Sequence, residues 1–411
     1  MNSTSTAVRV KDPIYATCVA VSDGDEIALF FSLDIRNTTK GEQMQKIVSK
    51  GTGIPAENMF FTATHNHSSP DPTAATSDVT RWYTDVYKAL TATAKEAIAD
   101  LTPSEIYVGT ALSPKGTNFV RRYQRADGSW DGIHNSNTST APVTAYESEA
   151  DKELRTIRFD RGDKKDIVMV NWQAHAAHAL DSNNQVITSD FITNLRKGVE
   201  KELDVNFAYY QGAAGDVNFS SHMKDGVYSG WEEIGKVLVG VVKESLSNES
   251  PAASGKLQIT KSAFEGVVRK ETEERVKQAR EYNSATSDEA KAALLSQYGF
   301  ASRYEVGAVI KRSEMGETSP LPLYCITFGD VAFASAPFEM FNTNGIELRA
   351  ASPYKMTFNC SYTNGACGYM PSATAFTHGG YEIDTCYFES GTGEKVVSES
   401  LRILNEHYAS R

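Results

Sequence analysis

Long apolar runs are missing from this sequence. No window approaches the roughly 20 consecutive apolar residues that a membrane-spanning helix needs. The opening MNSTSTAVRVKDPIYA carries no apolar segment behind a basic start, so a cytoplasmic chain is expected. Positive charge is also short: 41 Lys and Arg stand against 52 Asp and Glu, a formal net charge of −11. Nucleic acid and anionic membrane surfaces both require a cationic patch, so neither is expected as a partner. Cysteine is scarce. Its five residues (Cys18, Cys325, Cys360, Cys367, Cys386) are an odd number and lack the paired CxxC spacing of a structural zinc site. Free thiols are the simplest reading, and a Cys360–Cys367 pair is open only in an oxidising compartment. Internal repeats and low-complexity tracts are absent too, which excludes solenoids and fibrous chains.

What is present is the composition of a globular enzyme-sized chain: 411 residues, 40% hydrophobic and 23% charged, enough to bury a large core. No linker interrupts it, so residues 1–411 are expected to form one domain. Strand patterns alternate with helical ones. IYATCVAVS and EIALFFSLDI read as a hairpin turned at Asp23-Gly24-Asp25, followed by a helix at about 41–50 and a short strand in NMFFTATHNH. Arg81 to Leu101 reads as a helix and Glu105 to Gly109 as a strand, with a long polar loop over about 111–146. Strands recur in TIRFD, DIVMVNWQAHA, NFAYYQ, YCITFGDVAFASA and KMTFNCSY, separated by helices at 190–203 and about 231–246 and closed by EKVVSESLRILNEHYA. Residues 264–313 are charge-rich with helical period and read as exposed helices. The order predicts an α/β fold, a layered mixed sheet flanked by helices.

Four segments place polar or metal-competent groups where an apolar strand gives way to a loop: FFTATHNHSSPDP, VNWQAHAAHAL, YYQGAAGDVNFSSH and ASAPFEMFNTNG. Loops at strand ends are where α/β enzymes keep their sites. Taken singly, the His65/His67 pair reads equally as a metal site or a hydrogen-bonded surface feature, and one of His175 and His178 could be a satisfied core histidine.

Taken together, in order and spacing, the segments resemble the neutral/alkaline non-lysosomal ceramidase family over nearly the whole chain. VKDPIYA and FSLDI are similar to the family's opening Asp-Pro-Leu-Tyr-Ala segment and its strand ending in Leu-Asp. Thr64-His65-Asn66-His67-Ser68-Ser69-Pro70 resembles its Thr-His-Thr-His-Ser-Gly-Pro, and Asn171-Trp172-Gln173-Ala174-His175 its Asn-aromatic-x-x-His. Ser189-Asp190-Phe191, QGAAGDVN, Pro337-Phe338-Glu339 and Gly380-Tyr381-Glu382 resemble its Ser-x-Asp-Tyr, Gly-Asp turn, Pro-Gly-Glu and Gly-Tyr-Glu. The resemblance implies a neutral-ceramidase-like catalytic domain binding one zinc per chain through His65, His175, Glu339 and Tyr381. Two imidazoles, a carboxylate and a phenolate make a borderline-hard donor set with room for water.

The supporting residues follow with open alternatives. His67 is not expected to share the metal with His65 in an extended segment and is assigned to substrate or water. Arg121 or Arg122 resembles the family's site arginine, which would stabilise an oxyanion or bind a head group, against a plain surface pair. Asp216 would orient a ligand histidine or hold a second cation, against a role in the turn. Asn218 and Tyr387 are candidate substrate contacts, with His378 weaker.

Where the family has Gly-Asp-Val-Ser-Pro-Asn, this chain has Gly215-Asp216-Val217-Asn218-Phe219-Ser220, so Asn218 stands in place of the serine associated with ceramide hydrolysis. No immunoglobulin-like C-terminal domain is recognisable. The family's first strand has no counterpart, which leaves a sheet edge that a homo-oligomer would cover. The expected function is a zinc-dependent amidohydrolase acting on a small molecule more polar than ceramide. The alternatives are a zinc hydrolase of esters, lactones or glycosides, and a non-catalytic relative that binds a sugar or lipid head group.

Overall fold

The computed structural model describes residue 7 and residues 9–71, 76–132, 139–177, 186–219, 228 and 230–411. The strands at the centre of the fold are nearly continuous apolar runs, because they are buried on both faces. MFFTA at Met59–Ala63, LYCITF at Leu323–Phe328 and VAFASA at Val331–Ala336 contain no exposed residue.

A three-stranded sheet holds Ala16–Ser22, Ile27–Leu33 and Met59–Ala63 in that order, the first pair antiparallel and the second parallel. The hairpin turns at Gly24, whose φ of 99° suits glycine, while Asp23 Oδ1 accepts from the Asp25 and Glu26 N–H groups at 2.9 Å. A four-stranded sheet runs Leu257–Ser262, Leu323–Phe328, Val331–Ala336, Met356–Ser361, the last pair parallel. The two sheets meet at an antiparallel bridge between Thr62 and Thr363. Against them lies a five-stranded sheet of order Asn206–Gln211, Ile167–Trp172, Glu153–Asp160, Glu105–Leu112, Ser250–Ala252.

The facing sheet surfaces share one core, in which Phe333 lies 4.4 Å from Phe30 and 5.1 Å from Phe358 between ring centroids, and Ile157, Met169 and Tyr210 close it from the five-stranded side. Helices cover the outer faces. Phe191–Leu203 and Trp231–Ser247 pack on the five-stranded sheet through Leu195, Ile234 and Leu238, and Thr392–Ala409 packs on the four-stranded sheet through Ile403 and Leu404. Gly41–Thr52 and Ser77–Ala99 cover the three-stranded sheet through Met44, Val48 and Leu90. This is the expected layered α/β fold. Among the described residues, no helix is long and apolar enough to cross a membrane.

Two expectations change. The supposed loop at 111–146 contains a small sheet in which Tyr123–Arg125 pairs with Trp130–Asp131 and Val143–Tyr146; these strands are too short to show a period in sequence. The segment 264–313 opens with strand Glu265–Val267 before three helices, Glu273–Ser284, Asp288–Tyr298 and Arg303–Glu314. Asp288–Tyr298 has no buried residue, as expected. Arg303–Glu314 instead buries Val306, Ala308, Val309 and Arg312 and packs on the short helix Tyr381–Asp384.

Candidate metal centre

His65, His175 and Glu339 each follow the C-terminal end of a buried strand: Met59–Ala63, Ile167–Trp172 and Val331–Ala336. The segments are tied together by backbone bonds, the His67 N–H donating to the Ala176 carbonyl and the His175 N–H to the Val217 carbonyl, both at 2.9 Å. Asn66 braces the first loop from within, donating to the carbonyls of Asp34 at 3.2 Å and Thr188 at 2.7 Å.

His65 has a φ of 59°, a left-handed conformation that costs a non-glycine residue energy and that the surrounding contacts must hold. Tyr362, also left-handed at 55°, stacks on the His65 ring with centroids 3.9 Å apart. The expectation for His67 assumed an extended segment, and the backbone at His65 is not extended. An extended backbone would space the two rings along one face, but the reversal at His65 brings His67 Nε2 to 2.8 Å from His65 Nε2. One nitrogen from each of His65, His67 and His175 lies within 4.8 Å of the others, a group that could hold a metal ion.

The hydrogen bonds settle which ring nitrogens face inward. His65 Nδ1 lies 2.7 Å from the Arg36 carbonyl and His175 Nδ1 3.2 Å from the Val217 carbonyl. A carbonyl only accepts, so both Nδ1 atoms carry the proton and both Nε2 atoms present lone pairs. Those Nε2 atoms meet Glu339 Oε2 at 3.5 Å and 3.2 Å. His67 Nε2 donates into the His65 lone pair at 2.8 Å, and the imidazole nitrogens and carboxylate oxygen gathered here are a donor set that fits a divalent ion. Burial pushes His65 down to about 3 and His67 and His175 well below the ordinary histidine range, which keeps all three neutral.

Tyr381 and Glu339 line one cavity of about 320 Å³ with Tyr369, Tyr387, Arg303, Tyr304, Gly307 and Ala308. Burial, reinforced by the Glu339 charge, pushes the Tyr381 hydroxyl up to about 12, so by itself it is a phenol, and the phenolate implied by the resemblance requires a neighbouring cation. Two larger grooves, about 530 and 660 Å³, run beside the edge strand Ala16–Ser22; no histidine lines them or the smaller cavity, which is singled out because Glu339 and Tyr381 lie on its wall.

Arg121 and Arg122 are not a surface pair; both are buried. Arg121 donates to Glu382 at 2.8 Å, the Gly215 carbonyl at 2.9 Å, Tyr369 Oη at 3.1 Å and Asn218 Oδ1 at 3.3 Å. Arg122 holds Glu147 at 2.7 and 3.0 Å, Glu382 at 3.0 Å and the Gly379 carbonyl at 2.8 Å. Together they clamp the segment carrying Tyr381. His378 stacks on Trp130 at 3.7 Å and holds Glu147 at 2.7 Å, at the far side of that clamp. His178, Ser220 and Ser221 lie outside the described residues.

The acceptor that orients His175 is the Val217 carbonyl, whereas Asp216 Oδ1 accepts the Asn342 N–H at 2.7 Å where helix Asn342–Ala351 begins. Burial raises Asp216 to about 7. An acid raised this way holds a proton in the folded state that the unfolded chain releases above about 4, so its contribution to stability declines as pH rises from about 4 to about 7. Asp216→Asn keeps the acceptor and removes the charge. Its urea midpoint relative to the parent is expected to be higher at pH 8 than at pH 5, and an equal offset at both would refute the assignment.

Sequence reading missed Arg36, Tyr304, Tyr362 and Tyr369. Arg36 acts through its carbonyl, which leaves no sequence signal. Tyr304 sits in a charge-rich stretch that reads as exposed.

Two solved structures share this fold. The neutral ceramidase from Pseudomonas aeruginosa superposes with a TM-score of 0.65 at 14% identity, over 93% of this chain and 67% of that one. A ceramidase complexed with C2 gives 0.65 at 13% identity, over 93% and 68%. The chain therefore spans about two thirds of the length of either. No protein-family model and no curated protein sequence matches it.

Proposed function

We propose that this chain is a zinc-dependent hydrolase that cleaves an amide bond in a small molecule more polar than ceramide. The observation that carries the reading is the pair of Nδ1-tethered imidazoles whose Nε2 lone pairs meet Glu339 Oε2 at 3.2 and 3.5 Å. His65, His175 and Glu339 would hold the ion and Tyr381 would complete the set, giving up its proton only beside a cation. The ceramidase fold supports the amide as the bond, and the replacement of the ceramidase serine by Asn218 supports a different substrate. Residues 1–411 are read as one catalytic unit, since the donors run from residue 65 to residue 381.

Zinc, when bound, supplies Lewis acidity, bringing water within reach of ionisation near neutral pH and polarising a carbonyl oxygen. The remaining work belongs to the chain. His67, whose Nε2 lies 2.8 Å from His65 Nε2, is read as the imidazole of this cluster that contacts substrate or water. Tyr369, held by Arg121 at 3.1 Å, presents a hydroxyl on the cavity wall that can donate to a developing oxyanion. Arg121 is a positioning residue, since its other donors are bound to Glu382, Gly215 and Asn218.

Hydrolysis of a panel of small N-acyl compounds, read as released amine, is expected to fall at least about 100-fold after chelation and to return on adding zinc. Release that persists after chelation, with no metal detectable, would sink the proposal. Cleavage of esters or glycosides but not amides would leave the metal centre and reassign the bond.

A further inference from the structure

The helix Arg303–Glu314, which by sequence belongs to an exposed segment, forms one wall of the cavity against Glu339. Tyr304 meets the Tyr381 ring edge-on with centroids 5.6 Å apart, and Ala308, one turn further on, lines the same space. Arg312 fixes the helix to its support, donating to the carbonyls of Asp384 at 2.9 Å and Cys386 at 2.7 Å while paired with Glu271. The wall is therefore attached to the chain segment that carries Tyr381.

Two residues four apart on this helix share the cavity face. Arg303 is exposed at the mouth; its guanidinium donates to Tyr304 Oη at 3.0 Å and pairs with no carboxylate among the described residues. The next acid along, Glu305, is already held by Arg275 and by the Ala301 N–H at 2.7 Å. Gly307 lies one turn beyond, and a Cβ built on it meets no atom within 4 Å. Glycine weakens a helix interior, and packing does not demand one here. Its effect is to leave the wall open.

We propose that this helix selects the substrate, with Arg303 receiving a carboxylate on the substrate and Gly307 leaving room for the group that bears it. The proposal rests on the reading of this cavity as the reacting site. The substrate class it names is an N-acyl amino acid or a similar amide with an anionic carboxylate beyond the scissile bond. Arg is suited to this because its planar fork matches a carboxylate in two hydrogen bonds. The cavity volume lies at the small end of the range for ligand sites, as a compact substrate requires.

The test is titration calorimetry on the zinc-loaded protein with the ketone analogue of N-benzoylglycine, in which a methylene replaces the amide nitrogen so that no turnover occurs, beside its carboxamide. The parent is expected to bind the carboxylate about tenfold tighter than the carboxamide, a difference of one good charge-assisted contact. Arg303→Gln should bring the two within about twofold, Arg303→Lys should retain part of the preference, and Gly307→Leu should weaken both ligands about tenfold. Equal binding of the two by the parent, binding of neither, or an undiminished preference in Arg303→Gln would overturn the proposal. Zinc content and amide turnover are read separately. A protein that carries zinc and cleaves neutral amides yet ignores the carboxylate keeps the hydrolase reading and loses this one.

Discussion

Replacing His175 with alanine is expected to reduce bound zinc from about one atom per chain to almost none, read by elemental analysis of the purified proteins. The magnitude follows from what the ring does. Its Nε2 is 3.2 Å from Glu339 Oε2, and its Nδ1 proton is fixed on the Val217 carbonyl, so the lone pair is aimed before any ion arrives. Disturbing only the groups that orient a ligand typically costs roughly 10–100-fold in metal affinity, and deleting the ligand itself costs more. The variant also leaves a void beside a carboxylate that water will fill, so retention by His65, Glu339 and Tyr381 without the second imidazole would be weak. His378→Ala is the control: this ring stacks on Trp130 and holds Glu147, and its loss should leave zinc unchanged. Equal metal in the parent and in His175→Ala would remove the centre from the protein's chemistry.

Arg122→Ala should destabilise the fold by about 3–5 kcal/mol, the usual result of removing one partner from a buried ion pair. Arg122 and Glu382 are both almost fully buried, and Arg122 also holds Glu147 through two donors. The variant leaves Glu382 with Arg121 alone and Glu147 with His378. Arg122→Lys should recover only a part, since an ammonium cannot span two carboxylates and the Gly379 carbonyl in one plane. By contrast, the exposed Glu42–Lys46 pair should contribute nothing measurable, because solvent screens it. Denaturant midpoints decide between the two cases. A shift for Arg122→Ala no larger than that of a surface variant would show that the network is solvated.

Much of the architecture was legible because local pattern and burial agree. The hairpin at Ala16–Ser22 and Ile27–Leu33, the strand Met59–Ala63 and the helix Phe191–Leu203 fall where alternation, continuous apolar runs and helical period put them. The failures are of two kinds. The two- and three-residue strands between Phe119 and Asp131 are shorter than any period that could announce them. Arg303–Glu314 carries a charged pattern that fits solvent, yet it buries Arg312 by satisfying it with Glu271 and two carbonyls, which no hydrophobic pattern reveals.

The sequence by itself determined the chemistry available: histidines and a glutamate placed just after apolar strands, with tyrosines further along, in a chain of formal net charge −11. Only the tertiary structure decided how those groups act. Whether His67 faces the same centre as His65 depends on a single left-handed residue, and which nitrogen points inward depends on the Arg36 and Val217 carbonyls. The proximity of residues 65, 175 and 339 depends on loops that follow strands of three different sheets converging in space. Side-chain identity is local, but lone-pair direction and burial are properties of neighbours brought together by folding.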